Sequence, residues 1–120
     1  MVYLFTNSAL RVGFTVGDGD VSGTLTGIRF EVALKSQSGT VEAGKYSFAV
    51  YSGTAAVATV SGQEAVGTEW TKLVVTDASI VSGLSSGLSD VAFQVNGPSS
   101  GPRLEWSWVR MVVDYRPTGQ

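Results

Sequence analysis

The residues of this chain that could do chemistry are a few carboxylates and three tryptophans. Two carboxylates lie close together in Asp18-Gly19-Asp20, at the end of a predicted strand. Carboxylate oxygens suit Ca²⁺, but a full calcium site needs about six or more oxygen ligands, and no third acidic residue is near in sequence. Asp18 and Asp20 are therefore predicted to form an ordinary polar turn, with calcium binding as the weaker alternative.

Acidic residues on predicted strands are the next candidates, because glycoside hydrolysis needs two carboxylates that flank a cleft. They are Glu31, Glu69, Glu105 and Asp114. Each fits a solvent-facing strand position equally well, and nothing around them indicates a tuned pKa. The chain has no histidine and no cysteine, which excludes histidine-dependent nucleophilic catalysis and thiolate metal sites. We predict a protein without enzymatic activity, cofactor or bound metal.

The tryptophans are the more informative group, because exposed tryptophans on a β-sheet can anchor a protein interface or stack on sugar rings. Trp106 and Trp108 lie near the C-terminus, and Trp70 lies in an earlier β-rich run. Few Asn, Gln or Asp residues accompany the rings to bind sugar hydroxyls. We therefore favour a protein partner over a glycan.

The stretch from Leu104 to Tyr115 contains an apolar pattern that changes face partway. Strand side chains alternate, so one face carries Leu104, Trp106 and Trp108, and the other carries Val109, Met111, Val113 and Tyr115. The second set is predicted to point inward. Two alternatives remain for the first set: a β-bulge near Trp108 turns both sets toward the core, or the first set faces a partner. The candidate contact residues are Leu104, Trp106, Trp108 and Trp70.

Alternating apolar and polar residues dominate the rest of the chain. The clearest run places Ile28, Phe30, Val32 and Leu34 on one face and Arg29, Glu31 and Lys35 on the other. Ser52-Gly53-Thr54 predicts a hairpin link, and the segment from Asn96 to Pro102 predicts a long hairpin loop. From Asp77 to Asp90, Ile80, Leu84 and Leu88 recur at helical spacing, but glycines and serines favour an irregular crossover.

These patterns predict an all-β protein, an antiparallel β-sandwich of jelly-roll or related topology with about seven to nine strands and no convincing helix. The 120 residues suit one domain. We predict an N-terminal arm or first strand at 1–9, a single sandwich at 10–116 and a flexible tail at 117–120. No apolar run has the length of a signal peptide or of a membrane span, so we expect a soluble protein made without a leader.

The composition narrows the choice of partner. Charged residues make up 15% of the chain, against about 25% in an average domain, and a thinly charged surface suits packing against other protein. The formal net charge of −2 gives no electrostatic reason to bind nucleic acid or an anionic membrane. We therefore expect assembly, including a homo-oligomer.

The order of features resembles the β-sandwich domains of tailed-bacteriophage structural proteins. A Gly-Ile-Arg-Phe-Glu-Val strand (Gly27 to Val32) opens the similarity, which continues through a Val-Ala-Phe-Gln-Val strand (Val91 to Val95). A terminal Trp-Val-Arg-Met-Val-Val-Asp-Tyr strand (Trp108 to Tyr115) closes it. Similar domains occur in head decoration proteins, head fibres and tail fibres, and they carry no catalytic residues.

This resemblance implies a function in the virus particle. Because the chain lacks a coiled or repetitive shaft, we expect a capsid decoration or head-accessory protein that binds the major capsid protein or other virion proteins and stabilises the shell. Its location would then be the virion, after synthesis in the host cytoplasm. The alternative is a carbohydrate-binding module or a receptor-binding adhesin domain of a tail fibre.

Overall fold

A computed structural model describes residues 3–5, 9–14, 24–84 and 90–116 of the chain, with side chains at 13–14, 26–84 and 90–114. Eight strands and one short helix follow one another along these residues. They are β1 (Tyr3–Phe5), β2 (Ala9–Phe14), β3 (Thr24–Ser36), β4 (Ser47–Ser52), β5 (Ala55–Ser61), β6 (Thr71–Val75), α1 (Ala78–Leu84), β7 (Val91–Asn96) and β8 (Leu104–Arg116).

The strands form two four-stranded antiparallel sheets. The front sheet has the order β1-β8-β3-β6, and the back sheet has the order β2-β7-β4-β5. Pairing is nested, since β1 pairs with β8, β2 with β7, β3 with β6 and β4 with β5. This is the strand order of an eight-stranded jelly roll, which resembles one long hairpin rolled into two sheets. The predicted fold class, a jelly-roll sandwich of seven to nine strands, is confirmed.

The core lies between the two sheets and is built from the alternating apolar rows of their strands. On β3, Ile28, Phe30, Val32 and Leu34 are all buried, as the sequence pattern predicts. Phe30 from the front sheet stacks on Phe93 from the back sheet, with ring centroids 4.6 Å apart, and Phe93 stacks in turn on Phe48 at 5.5 Å. These aromatic contacts join the two sheets at their centre.

The predicted hairpin link at Ser52-Gly53-Thr54 is present, since Ser52 pairs with Ala55 across it. Gly53 adopts a positive φ of 62°, which glycine tolerates without steric cost. The predicted hairpin between β7 and β8 is wrong. The two strands belong to different sheets, so residues 97–103 cross from one sheet to the other.

The expectation of no helix is also wrong, because Ala78–Leu84 forms a short helix. Its start is stabilised by Asp77, whose carboxylate accepts a hydrogen bond from the backbone N–H of Ser79 at 3.0 Å and another from the Ser79 hydroxyl. These bonds from Ser79, the hydroxyl first, lower the pKa of Asp77. Ile80 and Leu84 are buried one turn apart, so tertiary packing outweighs the weak helix propensity. Leu88 lies outside the described residues.

Candidate functional site

A β-bulge in β8 explains why the apolar pattern of this strand changes face. Val32 of β3 pairs with Val109 and Leu34 pairs with Trp106, so two steps along β3 match three steps along β8. The extra residue reverses the alternation, so Leu104 and Trp106 point to the core together with the later apolar set, whereas Trp108 is left outside. Leu104 is fully buried and Trp106 is 5% exposed, whereas Val109, Met111 and Val113 are partly buried against the core. The side chain of Tyr115 lies outside the described residues.

The bulge therefore separates the two neighbouring tryptophans. Trp106 is a core residue, whereas Trp108 is 42% exposed on the outer face of the front sheet. Of the four residues predicted as contacts, Leu104 and Trp106 are inside the protein and are not accessible to a partner. Trp70, just before β6, is 44% exposed and remains accessible.

The outer face of the front sheet gathers the large exposed apolar side chains of the described residues. These are Trp70, Val74 and Trp108. Trp70 and Val74 share this face because β6 buries the alternate residues Leu73 and Val75. We call this surface the tryptophan face. Strands β6 and β8 are separated by β3, so their backbones lie two strand spacings apart, about 10 Å.

Strand register defines what lies between the two tryptophans. Ala33 of β3 pairs with Lys72 of β6 on one side and lies beside the bulge of β8 on the other. Although its side chain points outward, Ala33 is only 6% exposed, so its larger neighbours cover it. Ala33 therefore lies between Lys72 on one side and the bulge with Trp108 on the other. Trp70 lies one row further along, beside Lys35.

A buried carboxylate lies in the next row of the tryptophan face. Glu31 pairs with Val74 on one side and with Arg110 on the other, and it is only 4% exposed. Arg29 donates from Nε to Oε2 of Glu31 at 3.1 Å, and Arg110 donates from Nε to Oε1 at 3.0 Å and also from Nη2. Hydrogen bonds from Arg110 first, and then from Arg29, lower the pKa of Glu31. The sequence pattern predicts a solvent-facing glutamate, but the two arginines cover it.

Cations also lie over both exposed indoles. Nζ of Lys35 is 4.9 Å from the ring centroid of Trp70 and 3.3 Å from a carboxylate oxygen of Glu105. The guanidinium carbon of Arg110 is 5.9 Å from the ring centroid of Trp108. Such cation–π contacts hold the rings in place at the surface. They also occupy part of the π-surface that a sugar ring would stack on.

The remaining strand acids do not form a catalytic pair in a cleft. Glu105 is paired with Lys35, and Asp114 lies 3.9 Å from Nη1 of Arg29 on the open outer face. Glu69 is exposed in a shallow depression among the loops at one end of the sandwich, where its neighbours are threonines and glycines. Neither place has the enclosed pair of carboxylates that glycoside hydrolysis requires.

A groove between the edges of β5 and β6 is lined mainly by apolar side chains, including Phe48, Val60 and Leu73. Tyr46 closes one side of this groove, and its hydroxyl donates to the carbonyl of Glu64 at 2.7 Å. Burial is the main reason why the pKa of Tyr46 is raised. Tyr46 and Glu64 are the titratable residues of its lining, and neither a histidine nor a cysteine accompanies them.

The part of the chain that the structure describes offers neither a metal site nor a membrane-spanning helix. It contains no group of three or more Asp or Glu side chains able to hold a metal ion, and Asp18 and Asp20 fall outside it. No helix within those ranges is long and apolar enough to cross a membrane.

Sequence reasoning placed Val74 beside Trp70 but missed Lys72 and Arg110 as members of the tryptophan face. The period of two in β6 contains part of the signal, because it puts Trp70, Lys72 and Val74 on one side. The position of Arg110 beside Glu31 depends on the bulge in β8 and is not encoded in any local pattern. In comparisons with known proteins, the chain matches no family model, no curated protein and no solved structure.

Proposed function

We propose that this protein is a non-enzymatic structural protein of a tailed-phage particle, a decoration or head-accessory protein that binds the capsid through the tryptophan face. The observation that carries the proposal is that Trp70, Val74 and Trp108 are all exposed on the same side of one sheet. Several large apolar side chains exposed on one face typically mark an interaction site, and aromatic side chains are enriched at the centres of protein interfaces.

The fold supports the same conclusion. Jelly rolls are a common architecture of viral capsid domains, although lectins and cupins share it. The resemblance of β3, β7 and β8 to the strands of phage structural domains favours the capsid among these possibilities. The lack of histidine and cysteine removes most catalytic and metal chemistry, which leaves binding as the task that the surface suits best.

Capsid binding can be tested by co-sedimentation with emptied capsids of the virus whose genome encodes the chain, together with light scattering to measure the oligomeric state. We expect wild-type protein to co-sediment. Replacing both tryptophans in Trp70→Ala/Trp108→Ala should weaken binding by about 30-fold or more, as for interface hot spots. Thr59→Ala, an exposed position on the edge strand of the back sheet, is the control and should bind normally.

Two results would contradict the proposal. One is a strictly monomeric protein that fails to bind the capsids. The other is a double variant that binds like wild type. Because both tryptophans are more than two-fifths exposed, the double variant should fold, and its thermal unfolding can be compared with that of the wild type.

Glycan binding is the second candidate, and the pair of exposed indoles on one face favours it. Two indoles on strands about 10 Å apart, offset along the strands, could stack on sugar units of one oligosaccharide. The sugar-stacking pair would be Trp70 and Trp108, since Trp106 is in the core. A glycan array combined with a tryptophan-fluorescence titration checks this candidate. A sugar response that Trp70→Ala abolishes would support it, and no response to any glycan would remove it.

A further inference from the structure

The charge around the centre of the tryptophan face is unbalanced in favour of cations. Oε2 of Glu31 accepts a hydrogen bond from Arg29, and Oε1 accepts hydrogen bonds from Arg110. Two positive guanidinium groups are therefore paired with one buried carboxylate. Lys72 is exposed in the same region, where, after Arg110 and Arg29, its charge helps to lower the pKa of Glu31, but no described residue forms a salt bridge with it. Asp114 offsets part of this charge through its contact with Arg29.

The balance of charge differs between the outer face of the front sheet and the rest of the chain. The outer face of the front sheet carries four cations and three carboxylates at described positions, namely Arg29, Lys35, Lys72 and Arg110 with Glu31, Glu105 and Asp114. The rest of the chain carries four cations and seven carboxylates. The tryptophan face is therefore the positive side of an acidic protein, and it complements a negatively charged surface.

The geometry provides a place for one negative group. Lys72 and Ala33 lie in one row, and Arg110 lies in the next row on the far side of β3. Arg110 directs Nε and Nη2 at Glu31, while 60% of its side chain remains exposed. A carboxylate placed over Ala33 is about one strand spacing from the columns of both Lys72 and Arg110, within reach of these long side chains.

The surroundings of this place favour protein over other anions. Val74 and Trp108 flank it with exposed apolar surface, which suits apolar side chains next to an acidic one. Nucleic acid is disfavoured because its affinity depends on many phosphate contacts and the chain has a net charge of −2.

We propose that the tryptophan face recognises an acidic side chain of its protein partner, with the carboxylate over Ala33 between Lys72 and Arg110 and with neighbouring apolar side chains on Trp108 and Val74. This inference rests on the proposed function, because it names the chemistry of the partner that the same surface binds.

The first experiment measures the binding of a labelled peptide of alternating Glu and Leu by fluorescence polarisation, beside the same peptide with Gln in place of Glu. We expect the Glu peptide to bind at least about ten-fold more tightly, and its affinity to fall as salt is raised. Equal binding of the two peptides would overturn the inference. So would binding of a sialylated oligosaccharide without binding of the Glu peptide, because the anion would then be a glycan.

The second experiment compares Lys72→Glu with Lys45→Glu, a matched exposed lysine in the turn before β4. Lys72→Glu should weaken binding of the Glu peptide about ten-fold, whereas Lys45→Glu should have little effect. An equal loss in both variants would indicate non-specific attraction and would overturn the inference. Circular dichroism should show that both variants are folded. Lys45→Glu should melt like wild type, whereas Lys72→Glu should melt slightly lower, because, besides Arg110 and Arg29, Lys72 lies close enough to Glu31 to lower its pKa.

Emptied capsids separate this inference from the function on which it rests. In one outcome, Trp70→Ala/Trp108→Ala weakens capsid binding but Lys72→Glu does not. The proposed function would then stand, and the inference that the partner supplies a carboxylate would be overturned. Capsid binding that Lys72→Glu also weakens would support both.

Discussion

Glu31 contributes both to the stability of this protein and to the position of charged side chains on its surface. Its side chain points to the outer face of the front sheet but is covered by Arg29 and Arg110. A carboxylate removed from water needs such partners, since an unpaired buried charge is strongly destabilising. The two arginines thereby keep the glutamate ionised, and Arg110 also remains at the surface beside the indole of Trp108.

Glu31→Gln should therefore make stability less dependent on pH. The pKa of Glu31 in the folded protein is below its ordinary value of 4.5, so the stabilisation is present above that value and is lost as pH falls through the folded pKa. We expect the variant to melt at a lower temperature than wild type at about pH 7, and the difference to shrink below about pH 4.5.

Thermal unfolding followed by circular dichroism across this pH range checks the prediction. Glu42→Gln is the matched control, because Glu42 is exposed in a turn, and it should melt like wild type. A difference between Glu31→Gln and wild type that stayed constant down to about pH 3 would contradict the expected titration of Glu31.

Among the elements, α1 is the one whose existence depends most on its neighbours. The helix is seven residues long and includes a glycine, so its own propensity is poor. Gly83 is needed where α1 crosses β5, because a Cβ at this position would lie 2.5 Å from Cβ of Val57. Close packing on β5, and burial of Ile80 and Leu84, hold the helix in place.

Gly83→Ala should destabilise the protein even though alanine favours helix. The clash with Val57 should cost about 1–3 kcal/mol, against a propensity gain of about 1 kcal/mol. In a Val57→Gly background, which removes Cβ and both Cγ atoms of residue 57, the clash is removed, and the same substitution should be neutral or stabilising. Urea unfolding of the four proteins in a double-mutant cycle measures this coupling. An equal cost of Gly83→Ala in both backgrounds would show that the contact with Val57 is not the cause.

At the scale of the whole molecule, the two sheets are joined by aromatic packing through their centre. Phe93 of the back sheet is fully buried and lies between Phe30 of the front sheet and Phe48 of its own sheet. The nested strand pairing also means that β1 and β8, at opposite ends of the chain, are neighbours. Neither sheet can bury its apolar face without the other, so the sandwich should unfold as one cooperative unit.

Phe93→Ala should lower the free energy of unfolding by about 3–5 kcal/mol, since it removes a large side chain from the core. Tryptophan fluorescence follows the front sheet and its margin, where Trp70, Trp106 and Trp108 lie, whereas circular dichroism follows the strands of both sheets. The two signals should give coincident urea transitions in wild type and variant. Separate transitions would mean that the sheets unfold independently. The surface variant Thr59→Ala should change stability by no more than about 0.5 kcal/mol.

Much of the fold was predictable because strand alternation is a local property. The row from Ile28 to Leu34 indicates by itself which side of β3 is buried, and Ser52-Gly53-Thr54 indicates the turn between β4 and β5. These patterns identify a sandwich of about eight strands. The helix was missed because glycine and serine oppose it locally, whereas the burial of Ile80 and Leu84 that stabilises it depends on strands far away in the chain.

The sequence by itself determined that the chain is an antiparallel sandwich with three tryptophans near its later strands, and that histidine and cysteine chemistry is excluded. Only the tertiary structure decided which tryptophan is buried. That choice depends on the register between β3 and β8, where one extra residue turns Trp106 into the core and leaves Trp108 outside. Register is a property of two strands that are distant in sequence, so neither strand encodes the tryptophan face alone.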